Sequence, residues 1–290
     1  MLSRVSHALI AASLWVAAPL AHALDLAIVS PRGAAATQER WSALAEYLSK
    51  QLGEPVAILP YSAVELRGAA DRGEVDLVLT HSVHTVAIME QYDGRVLATL
   101  DSGAGPRFGG VIIARQGSGI SKLEDLKGKH VVSMKFKESA AGYVFQTYEL
   151  HKSGIDPHKD FASIKERKNQ DELVTAVAHG EADAAFIRTD LLEKMTKEGK
   201  VKMTDFVVVN PHKEYNFPYA LSTELYPEWC ITVLPHVPQD RVTAIKTALL
   251  KVTADDPAAV AANIKGFVEP VPMDNIKTVL QTLHINPYDK

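Results

Sequence analysis

Short apolar runs separated by amphipathic stretches recur along most of this 290-residue chain. "LDLAIVSP" (24–31), "PVAILPY" (55–61), "VDLVLT" (75–80), "GRVLATL" (94–100) and "FGGVIIAR" (108–115) read as strands. Between the first two, Trp41, Leu44, Ala45 and Leu48 fall on one face at helical spacing, which predicts a helix over Thr37–Leu52. A second helix is predicted near Ala63–Arg72. Strands alternating with helices of this length point to βαβ units and a parallel sheet covered on both faces.

A second set of units follows. "ISKLEDLKGKHVVSM" reads as a short helix and a strand, and "ESAAGYVF" (138–145) opens a helix running to His151. "FASIKE" (161–166), "ADAAFI" (182–187) and "DFVVVN" (205–210) read as strands, with helices at 171–181 and 190–199 between them. After the proline-bearing run "EYNFPYALSTELYPEWCITVLPH" come helices at Gln239–Val252, near Asp256–Ile264 and at Asp274–Leu283. Helices at the end of two βα sets are accounted for if the chain passes twice between two lobes, near 108–115 and 215–223. The expected fold is α/β with two lobes, each a mostly parallel sheet flanked by helices, joined by two crossing strands. Residues 24–112 form the first lobe, 113–215 the second, and 216–290 return to the first. The cleft between lobes is the expected place of function.

The first 23 residues change the setting. Arg4, an apolar stretch from Ala8 to Leu20 and Ala21-His22-Ala23 form the pattern of a cleavable secretory leader. No cysteine follows the cleavage point to accept a lipid, and no later run is long and apolar enough to span a bilayer. A soluble periplasmic protein is expected. The 31 basic and 35 acidic side chains give a net charge of −4, and loss of Arg4 with the leader would make it −5. An acidic chain without a basic run has no electrostatic footprint for nucleic acid. Cys230 is the only cysteine, so no intrachain disulfide forms.

"PRGAAATQERWSALAEYLSKQLGEPV", "GEVDLVLTHS", "GGVIIARQGSGISKLEDLKGKHVV" and "AAGYVFQTYEL" together resemble the phosphonate-binding family of type II periplasmic solute-binding proteins. Within it, "HGEADAAFIRTDLLEKM" and "LSTELYPEWCITVLPHVP" are most similar to the periplasmic input domain of tetrathionate-type sensor kinases. The resemblance covers nearly the whole chain after the leader. It implies two α/β lobes closing over a small ligand, with no catalysis and no cofactor. The chain stops at Lys290 without a kinase, so a free-standing monomer is expected. Its partner would be a membrane transporter permease or a separate sensor histidine kinase.

Candidate residues sit at strand ends. At 138–145, Ser139, Gly142 and Tyr143 mark a strand-to-helix junction whose amides would favour an anion, and the resemblance implies the same place. The bland alternative is Ser139 as a helix cap and Gly142 as a packing residue. There is no lysine in a G-x-x-x-x-G-K-[ST] frame, which excludes a nucleotide P-loop. In "THSVHTV", Ser82 would cap the next helix and donate to a ligand. His81 and His84 are spaced for a metal but lack further ligands, so cleft lining is expected and no metal. Arg188 and Thr189 end another strand, where a guanidinium suits an oxyanion; the alternative is a salt bridge to Asp183 or Glu181. Arg32 holds the matching place after the first strand. Tyr219, Ser222 and Thr223 lie on the return crossing, where they are expected to face the ligand, with Tyr226, Pro227 and Trp229 packing the lobe. Cys230 reads as a small buried hydrophobe.

The expected function is closure over a small phosphorus or sulfur oxyanion, tilted towards sulfur because Ala140 and Ala141 replace hydroxyls. Rival readings are an accessory protein that mainly contacts a sensor kinase, and a thiol-dependent enzyme. Against enzymatic function, no G-x-S-x-G or H-E-x-x-H frame occurs, and the lone cysteine has none of the surroundings of a known thiol-enzyme family.

Overall fold

The computed structural model describes residues 23–289, so the leader read over residues 1–23 lies outside the described residues except for Ala23. In chain order, β1 (Leu24–Val29), α1 (Ala34–Leu52), β2 (Val56–Tyr61), α2 (Ala63–Asp71), β3 (Leu77–Thr80), α3 (Ser82–Tyr92) and β4 (Arg95–Asp101) open the fold. Trp41, Leu44, Ala45 and Leu48 are the buried stripe of α1, which stops at left-handed Gly53 with its N–H on Ser49 O. α2 starts at a reciprocal capping box, in which Ser62 Oγ accepts from Glu65 N–H and the Glu65 carboxylate accepts from Ser62 N–H.

Then come β5 (Arg107–Phe108), β6 (Gly110–Arg115), β7 (His130–Ser133), α4 (Phe145–Lys152), α5 (Pro157–Asp160), β8 (Ser163–Glu166), α6 (Gln170–Ala178), β9 (Ala184–Arg188), α7 (Leu191–Lys197) and β10 (Phe206–Val209). The chain ends with β11 (Tyr226–Pro227), β12 (Cys230–Val233), α8 (Gln239–Leu250), α9 (Pro257–Ala262), β13 (Gly266–Val268) and α10 (Asp274–Thr282). The short pairings β11 and β13 carry no alternation long enough to be read from the sequence.

Two main sheets, a six-stranded one ordered β13-β4-β12-β3-β1-β2 and a five-stranded one ordered β10-β6-β9-β7-β8, carry all the strands but β5 and β11. Each sheet is mixed, which corrects the expectation of mostly parallel sheets. β1 pairs parallel with β2 and β3, but β12 enters antiparallel between β3 and β4. Likewise β7 pairs parallel with β8 and β9, while β6 runs antiparallel to β9 and β10. The strands entering from the other sheet arrive against the direction set by the βα units.

"FGGVIIAR" is two strands, not one. β5 pairs antiparallel with β11 as a two-stranded ribbon, and the chain enters the second sheet at β6. Both glycines are demanded by close approach. A Cβ at Gly109 would lie 2.4 Å from Leu221 Cδ1, and one at Gly110 would lie 2.5 Å from the Gln146 amide. The return segment is stitched to the outgoing one: Ser222 N–H donates to Gly110 O, Ser222 Oγ accepts from Ile112 N–H and donates to Val209 O, and Thr223 Oγ1 accepts from Gly110 N–H.

Candidate functional site

The end of β3 runs directly into α3 beside the start of β12, since Thr80 pairs with Cys230. His81 occupies the N-cap position without a side-chain capping bond, so Ser82 is the first helical residue and not the cap expected from the sequence. Ser82 is fully buried, yet its Oγ has no hydrogen-bond partner, and neither do His81 Nδ1 and Thr80 Oγ1. An unsatisfied buried polar atom costs about 1–3 kcal/mol, and three successive residues concentrate that cost at one strand end. The His81 ring lies tilted against that of His84 at 4.4 Å between centroids and meets the Trp229 ring edge-on at 5.9 Å.

Both imidazoles are held neutral. Burial, then the charges of Arg67 and Lys135, bring His84 down to about 4. Burial and then His84 lower His81 well below its ordinary value. Lys135 follows β7 in the second sheet, so its field on His84 reaches across from one lobe to the other.

On the facing lobe, residues Ala140–Val144 form a π-helical turn that leads into α4. Such turns recur at functional sites. Ser139 precedes it with no side-chain capping bond. Gly142 is a packing glycine: its carbonyl accepts from Met134 N–H, and a Cβ there would meet Met134 Cγ at 2.6 Å. The Tyr143 hydroxyl is 2.7 Å from His158 Nε2, and burial raises its pKa. Buried Gln146 ties the turn to the sheet, donating from Nε2 to Ala141 O and Ile187 O.

Arg188 closes β9. Its Nε donates to Thr189 O, its ion-pair partners are Asp190 at 3.3 Å and Glu228 at 3.7 Å, and its guanidinium lies 5.9 Å from the Phe108 ring centre. The alternative partners weighed from the sequence are elsewhere; Asp183, for one, accepts from His130 N–H. Ser222 is not a free cleft donor, because its hydroxyl already donates to Val209 O, whereas the buried Thr189 hydroxyl is engaged as an acceptor. Thr189 Oγ1 accepts from Gly109 N–H, and both Ser222 hydroxyl bonds lie within the strands near the crossing. Tyr143 is likewise engaged within its own lobe. Tyr219 is half-buried against Phe217, with ring centres 5.7 Å apart, and Arg32 is exposed beyond β1.

Two charged residues that sequence reasoning missed act on Arg188 here. Arg40, in the second turn of α1, donates from Nε to Ala262 O and rests on the Trp41 ring at 4.9 Å. Desolvation of its guanidinium, then the fields of Arg188 and Arg32, lower it to about 10. Glu228 is buried, accepts from Trp229 N–H, and has its pKa raised chiefly by burial, against the pull of Arg188. An acid inside the apolar run "YPEWCITVL" was a legible signal, because a buried carboxylate must find a cation or donor. Arg40 had no such signal on its polar helix face.

Cys230 is fully buried in β12, 3.5 Å from Thr99 Oγ1, and burial pushes its thiol up to about 12. A thiol in that state is a packing group and not a nucleophile. Among the described residues, no group of three or more His, Cys, Asp or Glu side chains could hold a metal ion.

A family model for the periplasmic substrate-binding protein of phosphonate ABC transporters matches residues 26–275. The chain belongs to this phosphonate-binding family. Over 228 residues it is 32% identical to the tetrathionate sensor histidine kinase TtrS of Salmonella typhimurium, a match that takes in 76% of this chain and 38% of the kinase. The chain therefore spans well under half the length of that relative. Among solved structures, PhnD1 of Prochlorococcus marinus in complex with methylphosphonate superposes with a TM-score of 0.72 at 17% identity, covering 90% of this chain and 98% of PhnD1. A Xanthomonas citri protein bound to ATP gives 0.73 at 19% identity, with the same coverages. These superpositions establish the two-lobed type II periplasmic binding fold. Family members are solute-binding proteins, and no helix among the described residues is long and apolar enough to cross a membrane.

Proposed function

We propose that this protein is exported after cleavage before Leu24, and that as a periplasmic monomer it closes over a small phosphorus or sulfur oxyanion. The observation that carries this reading is the strand end at Thr80–Ser82. Its buried hydroxyls and imidazole nitrogen lack partners, while the charges of Arg67 from one lobe and Lys135 from the other act on the neighbouring His84. An oxyanion brings the acceptors that these donors and guanidiniums want. Arg188, Ser82 and His81 are the proposed direct contacts, with backbone amides near Ser139 and Gly142 facing them and Arg32 at the rim. Closure turns about the paired crossings at 107–110 and 222–227. The relationship to a sensor kinase favours presentation of the ligand to a histidine kinase, and the family at large favours delivery to a transporter permease. The proposed role is binding, as in the family at large, and the buried, raised Cys230 thiol argues against a thiol-dependent reaction.

A thermal-shift panel on the mature protein with phosphate, methylphosphonate, thiosulfate and tetrathionate tests this. A ligand at a hundred times its Kd stabilises by about 2.7 kcal/mol, which moves the melting temperature by several degrees in a protein of this size. Arg188→Ala should cut the shift for the active anion. A panel that leaves the melting temperature unmoved throughout sinks the oxyanion reading.

A further inference from the structure

Glu228 and Arg188 meet across the boundary between the lobes. Glu228 sits between β11 and β12 in the first lobe, and Arg188 ends β9 in the second. Arg188 Nη2 lies 3.7 Å from Glu228 Oε1, an ion pair too long to be a hydrogen bond. The acid is 3% exposed and the guanidinium 33%. Backbone groups hold the acid in place: Glu228 N–H donates to Pro106 O, and Glu228 Oε2 accepts from Trp229 N–H at 3.2 Å. Arg188 is fixed at its base, its backbone N–H donating to Gln170 Oε1 and its Nε to Thr189 O. Among the described residues, neither terminal nitrogen of Arg188 donates a hydrogen bond within the protein, so the outer edge of the fork is open to an acceptor.

A buried carboxylate needs a cation, and Arg188 is the one within salt-bridge distance of Glu228 among the described residues. The other charges that act on Glu228 are Asp190, beside Arg188, and Arg40 on α1; the neighbouring Cys230 thiol is neutral. Burial already raises Glu228, against the pull of Arg188. An oxyanion on the same guanidinium weakens that pull and adds like charge beside the acid, and both effects favour the neutral carboxyl. Resting on the oxyanion reading above, in which Arg188 holds the anion, we infer that Glu228 makes anion binding proton-linked: as the anion takes the terminal nitrogens of Arg188, a proton from solvent moves onto the Glu228 carboxylate. The anion's charge is thereby offset by a proton in the other lobe. Linkage is reciprocal, so a proton on Glu228 favours the anion as much as the anion favours the proton. Affinity therefore rises as pH falls, and levels off once Glu228 is neutral in the free protein as well.

Calorimetry of phosphate, methylphosphonate, thiosulfate and tetrathionate on the mature protein, repeated in buffers of different ionisation enthalpy, counts the protons taken up on binding. Glu228→Gln keeps the shape of the side chain and removes its proton site. This variant should take up fewer protons than the parent with the same anion. On the alkaline side it should bind that anion about 10-fold or more tightly, the factor that one like charge beside a carboxylate is worth, and the two affinities should converge as pH falls. A proton taken by His81 or His84 persists in the variant, so the difference belongs to Glu228. In the parent, infrared difference spectra should show the band of a protonated carboxyl growing in with the anion, a reading that carries the test even if Glu228→Gln does not fold. An anion that binds while leaving the carboxyl band unchanged at every pH, or with the same proton count in parent and variant, overturns the inference and leaves the oxyanion reading standing. If none of the four anions binds at any pH, that reading falls, and the proton link with it.

Discussion

The crossing between the sheets and the β3–α3 corner are both built from small hydroxyl residues, but they stand in opposite states. At the crossing, the hydroxyls of Ser222, Thr223 and Thr189 all bond to backbone groups of the neighbouring strands. At the corner, Thr80, His81 and Ser82 each leave a buried polar atom without a partner. Buried polar groups are nearly always paired, so a completed network reads as architecture and a cluster of orphans reads as a place that something else completes. Residue type alone does not separate the two; bonding does.

The largest effect in this comparison should come from filling the space at the crossing. Gly110→Ala drives a Cβ into the Gln146 amide, which itself holds the π-helical turn to β9. Overpacking of this kind costs about 1–3 kcal/mol, and loss of the amide bonds adds to it. The melting temperature should drop by several degrees in a thermal scan; an unchanged value would show that the crossing has slack. Ser222→Ala comes next. It strips Ile112 N–H and Val209 C=O of a partner at once, for a loss of about 1–2 kcal/mol, with anion affinity per folded molecule unchanged.

The histidine pair gives a pH test of the corner. His84 titrates at about 4 in the fold and near 6.5 when unfolded, so the unfolded chain binds the extra proton between those values. This contribution is complete above pH 6.5 and is lost as pH falls towards 4. Stability should therefore decline on acidification with a slope of up to about 1.4 kcal/mol per pH unit from this group alone. His84→Gln should flatten the melting-temperature profile between pH 6.5 and 4.5. A variant profile parallel to the parent would place His84 in water.

Much of this was legible in the chain. The helical stripe of α1 and the strand at 75–80 followed from apolar periodicity, which packing enforces. Sheet direction was not legible, because β12 and β6 take their orientation from the segment that delivers them and not from their own sequence. Of the proposed contacts, His81, Ser82 and Arg188 were suggested by their places at strand ends. Thr189, Ser222 and Tyr143 were assigned to ligand because a hydroxyl at a strand end looks the same whether its bonds face a cleft or a neighbouring strand. Arg40 escaped notice since its role depends on Arg188, 148 positions away in the chain.

The smallest stability effect should separate the two regions most cleanly. Ser82→Ala removes a buried hydroxyl that has no partner, so no bond is lost and a desolvated polar atom disappears. The melting temperature of the free protein should stay within about 1 °C of the parent or rise slightly, a change of no more than ~0.5 kcal/mol. Ser222→Ala, the same chemical change at the crossing, should lower it. Binding should show the reverse order: Ser82→Ala should reduce the thermal shift produced by the active anion, and Ser222→Ala should leave it intact. If Ser82→Ala instead destabilises the free protein as much as Ser222→Ala does, its hydroxyl is already satisfied within the fold, and the corner is architecture like the crossing.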